Sequence, residues 1–233
     1  MKSFETKRKE GMPARNERST LLADISHDLK SYLNPIIGFS SVLMQDDQRL
    51  KADQLKHVRT IYESAKKLLD RIDALVLLLR LGEQYQPVQQ LVNLKSLLQE
   101  QVEQVGEEAQ ARNVRLGLVC EESLKVEADP VLLGRGLKEL LEYLIGRLSG
   151  GEITISCRKE DEAATVTVGC PTLSLSSKEE ESWRAFLQAP DYRSSAVKGI
   201  GLWLALARQA VAQANGRLEL TDENNWKISL PLK

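Results

Sequence analysis

Cysteine is scarce and scattered: Cys120, Cys157 and Cys170 are the only three in 233 residues. There is no Cys-x-x-Cys pair and no histidine cluster beside them, which argues against a disulfide framework and against a zinc site and fits a reducing cytoplasm. Long apolar runs are missing too. A run such as Leu75–Leu79 is far short of the ~20 residues that a membrane helix needs, so no span is expected. Neither charge sign dominates: 32 Lys and Arg face 33 Asp and Glu, for a net charge of −1. That balance lacks the basic footprint of a nucleic-acid binder. The N-terminus, MKSFETKRKE, is too charged to resemble a secretory leader. At this length the chain has room for two small domains with separate cores.

What stands out is the stretch from Leu21 to Leu43. Apolar residues recur at Leu22, Ile25, Leu29, Tyr32, Ile36, Phe39 and Leu43, alternating steps of three and four. This is the a/d seam of a helix that packs on other helices. In that register His27 falls at f, away from the seam, with Asp28 beside it at g and Ser31 one turn on. An exposed imidazole next to a carboxylate on a rigid helix is suited to accept a phosphoryl group. A second helix, from about Ala52 to Leu81, carries an equally regular seam: Leu55, Val58, Tyr62, Ala65, Leu69, Ile72, Val76 and Leu79. Ile61, Leu68 and Leu75 add a second apolar row. A lone two-helix hairpin cannot bury a stripe that wide, and a homodimer forming a four-helix bundle can. His57 falls on the exposed face without any motif and reads as ordinary surface.

In order, residues 1–18 read as a polar tail, 19–82 as the helical hairpin, 83–92 as a linker and 93–233 as a second domain. Pro35 inside the first helix predicts a bend over residues 31–35. The second domain mixes helices over about 93–111, 131–148 and 200–214 with strands over 114–120, 126–128, 153–158, 165–169, 217–221 and 226–232. A short helix is expected around Glu179–Leu187 in an otherwise irregular stretch. Paired strands between helices predict an α+β sandwich, a mixed sheet with helices on one face.

Ser26, His27, Asp28, Leu29, Lys30, Leu33, Asn34, Ile36, Gly38 and Phe39 resemble the phospho-acceptor box of two-component sensor histidine kinases. Departures are Ser31 for the usual threonine and Tyr32 for the usual proline, with Pro35 instead nearby. The resemblance runs from about Thr20 to the C-terminus. Ala128–Leu133 and Gly199–Leu218 resemble two motifs of the family's ATP-binding domain, a Bergerat-like α/β sandwich. It implies a homodimer, a response-regulator receiver as partner, and His27, Asp28 and Ser31 as the reacting group and its helpers. A partner histidine kinase is a further candidate, because no input domain is evident in this sequence and the signal must arrive through a partner or a larger system.

The nucleotide motifs that the resemblance calls for are degenerate. The two asparagines of the family's helix motif fall on Glu139 and Tyr143, and the second of these should help hold magnesium. A phenol is a poor magnesium ligand. The adenine-binding aspartate falls on Cys170, and the glycines of its loop are gone. Gly199 and Gly201 remain from the phosphate motif, but its third glycine is Trp203. No glycine stands between Gly169 and Gly199, where the family has a flexible lid. The expectation is therefore that neither ATP nor magnesium is bound and that no other metal is held. The first reading is a histidine phosphotransferase derived from a kinase. An active, divergent kinase and a non-catalytic scaffold are the alternatives.

Overall fold

The structure is a computed structural model that describes residues 15–45, 50–81, 85–120, 124–188, 197–221, 223 and 225–233. The first fourteen positions of the expected tail, the 46–49 connection, Gly82, the 189–196 part of the expected lid and the side chains of Leu22 and Leu79 lie outside the described residues. The chain divides into two compact units, residues 1–85 and 86–233.

The first unit is a hairpin of α1 (Arg15–Gln45) and α2 (Ala52–Leu81). Residues 15–18, expected in the tail, belong to α1, where Arg15, Glu17 and Arg18 have good helix propensity. The helix continues through Pro35. Leu33, Ala65 and Ile72 form the core between the helices, with Ile37, Leu69 and Val76 packed against it. Lys30 and Asp73 join the helices by an ion pair.

The seam read on α2 thus faces α1, but the seam read on α1 does not face α2. Ile25, Leu29, Tyr32, Ile36, Phe39 and Leu43 are all exposed, Tyr32 and Phe39 by 72% and 73%. Among the described side chains of α1 the buried ones are Ser26, Leu33 and Ser40, the adjoining stripe. Both stripes obey the same three–four spacing, so periodicity alone could not choose between them. Ile61, Leu68 and Leu75 are the matching exposed row on α2.

The second unit runs β1 (Gln90–Asn93), α3 (Leu94–Ala111), β2 (Val114–Cys120), β3 (Lys125–Ala128), α4 (Pro130–Arg147), β4 (Gly151–Glu160), β5 (Ala163–Gly169), α5 (Ser177–Gln188), α6 (Val197–Gln213), β6 (Arg217–Leu220) and β7 (Trp226–Pro231). Five strands form one sheet in the order β2-β4-β5-β7-β6. Only β2 and β4 run parallel; the other pairs are antiparallel. The last three residues of the expected linker belong to a strand instead: β1 pairs antiparallel with β3, Gln90 opposite Ala128. Four residues are too short for a period-2 signal, and the partner that makes them a strand is remote in sequence.

Side-chain caps set the helix starts. Asn93 Oδ1 accepts the Ser96 N–H at 3.1 Å to begin α3. Asp129 Oδ1 accepts the Val131 and Leu132 N–H groups at 3.0 Å to begin α4. Its Oδ2 takes the Val88 N–H at 3.0 Å, so one carboxylate also ties down the chain that enters the unit. Helices α4 and α6 approach closely at Gly136, where a Cβ would lie 2.7 Å from the Ala210 Cβ and 3.2 Å from the Ala207 Cα. Substituting Gly136→Val should therefore force α4 from α6 and cost about 1–3 kcal/mol by overpacking. All three tryptophans lie in this unit, so urea unfolding followed by their fluorescence measures the loss.

Candidate functional site

In the first unit, His27 and Asp28 stand out from α1 with 85% and 75% of their side chains exposed. Their neighbours in sequence anchor the turn: Ser26 is buried, and Lys30 holds Asp73 on α2. His27 Nδ1 lies 3.6 Å from Asp28 Oδ1, within ion-pair reach but longer than a hydrogen bond. Ser31 Oγ donates to the Asp28 carbonyl oxygen at 2.6 Å. The predicted trio is thus gathered on one exposed turn, with the Ser31 hydroxyl turned back onto its own helix. Nδ1 is the ring nitrogen beside the carboxylate, which leaves Nε2 without that neighbour.

In the second unit, Glu139, Cys170 and Trp203 of the degenerate positions are buried, and Tyr143 is half-buried. Trp203, 3% exposed, stacks on Tyr143 with ring centroids 4.0 Å apart and planes 13° from parallel. Trp183 meets both edge-on at 5.6 Å. Trp226 completes the group, 5.3 Å from Trp203 and 5.4 Å from Trp183. Four elements, α4, α5, α6 and β7, each contribute one ring. Gly201 makes room for this: its φ is 73°, and a Cβ there would lie 2.7 Å from Trp203 Cδ1. Its backbone conformation, left-handed, is one that glycine adopts freely. Gly199 lies in the first turn of α6, two residues before that break. Glu139 is buried and paired with Arg135 at 2.8 Å. Cys170 is buried at the end of β5; burial pushes its thiol pKa up, against smaller opposing hydrogen bonds from Thr172 and Leu173. Among the described residues no group of three or more His, Cys, Asp or Glu side chains could hold a metal ion.

The helix beside this cluster is docked at both ends. At its start Ser176 and Glu179 form a capping box: the Glu179 N–H donates to Ser176 Oγ at 3.3 Å, and the Ser176 N–H to Glu179 Oε2 at 3.1 Å. Arg147 at the end of α4 holds Glu179 at 2.8 Å. The hydrogen bond from the Ser176 hydroxyl, followed by that from Arg147, lowers the Glu179 pKa to about 2. Further along, Arg184 donates to the carbonyls of Leu220 at 2.6 Å and Thr221 at 2.8 Å. Trp183 and Phe186 bury the face between. Sequence reasoning named Tyr143, Cys170 and Trp203 but missed Trp183, Trp226 and the Arg147–Glu179 tie. The Ser176-x-x-Glu179 spacing was the available signal for the last.

The described residues thus form a helical hairpin with an exposed His–Asp pair and a mixed α/β sandwich. Residues 17–84 match the His Kinase A (phospho-acceptor) domain family. The chain is 28% identical over 220 residues to the sensor protein GacS of Pseudomonas syringae pv. syringae, covering 91% of this chain and 24% of that protein. It is 25% identical over 222 residues to the aerobic respiration control sensor protein ArcB of Escherichia coli (strain K12), covering 90% and 28%. It thus spans about a quarter of the length of these curated relatives. The crystal structure of full-length ShkA in complex with AMPPNP shares the fold, with a TM-score of 0.67 over 92% of this chain and 46% of that one, at 17% identity. Over residues 17–84 the chain matches the phospho-acceptor family, and along most of its length it is similar to two-component sensor proteins. Among the described residues no helix is long and apolar enough to cross a membrane.

Because the folded Glu179 pKa lies below the usual 4.5, its contribution to stability is present above that pH and lost as pH falls toward about 2. Acid melts followed by tryptophan fluorescence should show Glu179→Gln losing less stability than the parent chain across that interval.

Proposed function

We propose that this chain is a dimeric histidine phosphotransferase that passes a phosphoryl group between His27 and the aspartates of response-regulator receivers. What supports the reading is a contrast: His27 is exposed, whereas Tyr143 and Trp203, at positions that the sequence resemblance assigns to the nucleotide, stack on each other. The Nε2 lone pair attacks the phosphorus of a receiver's aspartyl phosphate; the N–P bond forms, the P–O bond breaks, and the aspartate leaves as carboxylate. Asp28 offsets the positive charge that grows on the ring. The same steps in reverse load a second receiver. Magnesium and the acidic pocket belong to the receiver.

The residues at the nucleotide positions do not suit Mg-ATP. Tyr143 offers no magnesium ligand of the required kind, and Cys170 offers no carboxylate to the adenine amino group. The decisive quantity is the stack. Removing a buried tryptophan from its packing costs roughly 3–5 kcal/mol. Displacing Trp203 to admit a nucleotide would weaken binding by about a thousandfold at ~4 kcal/mol, turning a micromolar site into a millimolar one. An active kinase is the second reading, favoured by relatives that are named sensor proteins and align along nearly the whole chain. Binding-only scaffolding is the third.

Dimerisation fits the exposed rows of the hairpin. Two copies would bury Ile25, Leu29, Ile36 and Phe39 of α1 with Ile61, Leu68 and Leu75 of α2 in one four-helix bundle. Two charged substitutions, Ile36→Glu with Phe39→Glu, should convert a dimer into a monomer in sedimentation velocity while helix content by circular dichroism stays. An unchanged dimer would place the contact elsewhere. The activity is tested by exposing the chain to a phosphorylated receiver and, separately, to Mg-ATP. Acid-labile label should appear on the parent chain from the receiver alone and vanish in His27→Ala. Label from ATP would establish the kinase, and no label from either would leave the scaffold.

A further inference from the structure

Cys120 and Cys157 are far apart in sequence, yet the sheet makes them neighbours. They are register partners across the parallel pair β2–β4, the last in a series that includes Leu116 opposite Ile153 and Leu118 opposite Ile155. Partners on adjacent strands point to the same side, and their Cα atoms stand about 4.8 Å apart. A disulfide takes Cα separations of about 4.4–6.8 Å. The two sulfurs differ in access. Cys157 is 2% exposed, whereas Cys120 is half-buried and ends β2, an edge strand of the sheet. The closing position of an edge strand is also the one whose backbone can best shift to meet disulfide geometry.

We propose that Cys120 and Cys157 are an oxidisable dithiol, a modification site at which a hydroperoxide installs a cross-strand disulfide. The Cys120 thiolate attacks one peroxide oxygen: an S–O bond forms, the O–O bond breaks, and hydroxide leaves and is protonated to water. The Cys157 sulfur then attacks the sulfenic sulfur; the S–S bond forms, the S–O bond breaks, and the second water leaves with the Cys157 proton. Two thiols give up two electrons to one hydrogen peroxide, yielding one disulfide and two waters. The product staples the edge strand to its neighbour, and thiols reverse it. Cys170, buried at the end of β5 with its thiol pKa raised by burial, is not part of the pair.

The test uses the full chain treated with hydrogen peroxide, alkylated under denaturing conditions and digested with trypsin without reductant. Trypsin separates the three cysteines into residues 116–125, 148–158 and 160–178. The expected result is a species joining the first two fragments with the loss of two hydrogens, gone after dithiothreitol. Cys120→Ser should abolish it and Cys170→Ser should leave it in place. Cys120 advancing to sulfinic acid without a link, a link to Cys170, or both cysteines still alkylated after treatment would each overturn the proposal. The mapping on the parent chain decides this whether or not a variant folds.

Discussion

The stack of Trp203 on Tyr143 is the contact around which the second unit is arranged. It joins α4 to α6, and through Trp183 and Trp226 it reaches the helix α5 and the strand β7. Buried aromatic rings contribute area and a geometric preference for stacked and edge-on contacts, about 0.5–1.5 kcal/mol per pair beyond burial. Here they pack between helices and sheet and give α5 a surface to dock on. Gly201 keeps its place in this arrangement for a reason of its own, since the Trp203 ring lies where its Cβ would be.

The hairpin is organised by the opposite condition, an apolar surface left open. One stripe of α1 packs on α2, and the adjoining stripe, including Tyr32 and Phe39, faces outward beside a similar row on α2. Exposed apolar rows of that length mark a protein interface. His27 stands apart from both stripes and is free to meet a partner of another kind. Within the hairpin, then, the exposed apolar rows and the His27–Asp28 pair are carried on different faces.

Much of this was legible beforehand, for physical reasons. Helix and strand periods located the hairpin and the sandwich, and Asp129-Pro130 marked the start of α4 correctly because its cap is local. Four-residue β1 was read as linker, since only its pairing with β3 makes it a strand. On α1 the seam was read as packing on other helices, and heptad spacing, which specifies a face and not a partner, could not say that the adjoining stripe is the one that meets α2. At the nucleotide positions, sequence comparison could identify Tyr143, Cys170 and Trp203 as misfits. It could not say that two of them stack, or that Trp183 and Trp226 close round them, because those contacts join four separate elements. The Cys120–Cys157 juxtaposition was equally hidden: spacing argued against a disulfide framework, and only the register of β2 on β4 brings the two together.

The central claim is that the chain's own side chains occupy the nucleotide position, and Mg-ATP binding tests it most directly. A ligand at a hundred times its Kd adds ~2.7 kcal/mol to the native state, which raises Tm by several degrees at this size. The account predicts that millimolar Mg-ATP moves the Tm of the parent chain by no more than about a degree and that a titration shows no saturation at micromolar ATP. A saturable shift of several degrees would contradict it, because the stack would then have to part for a ligand.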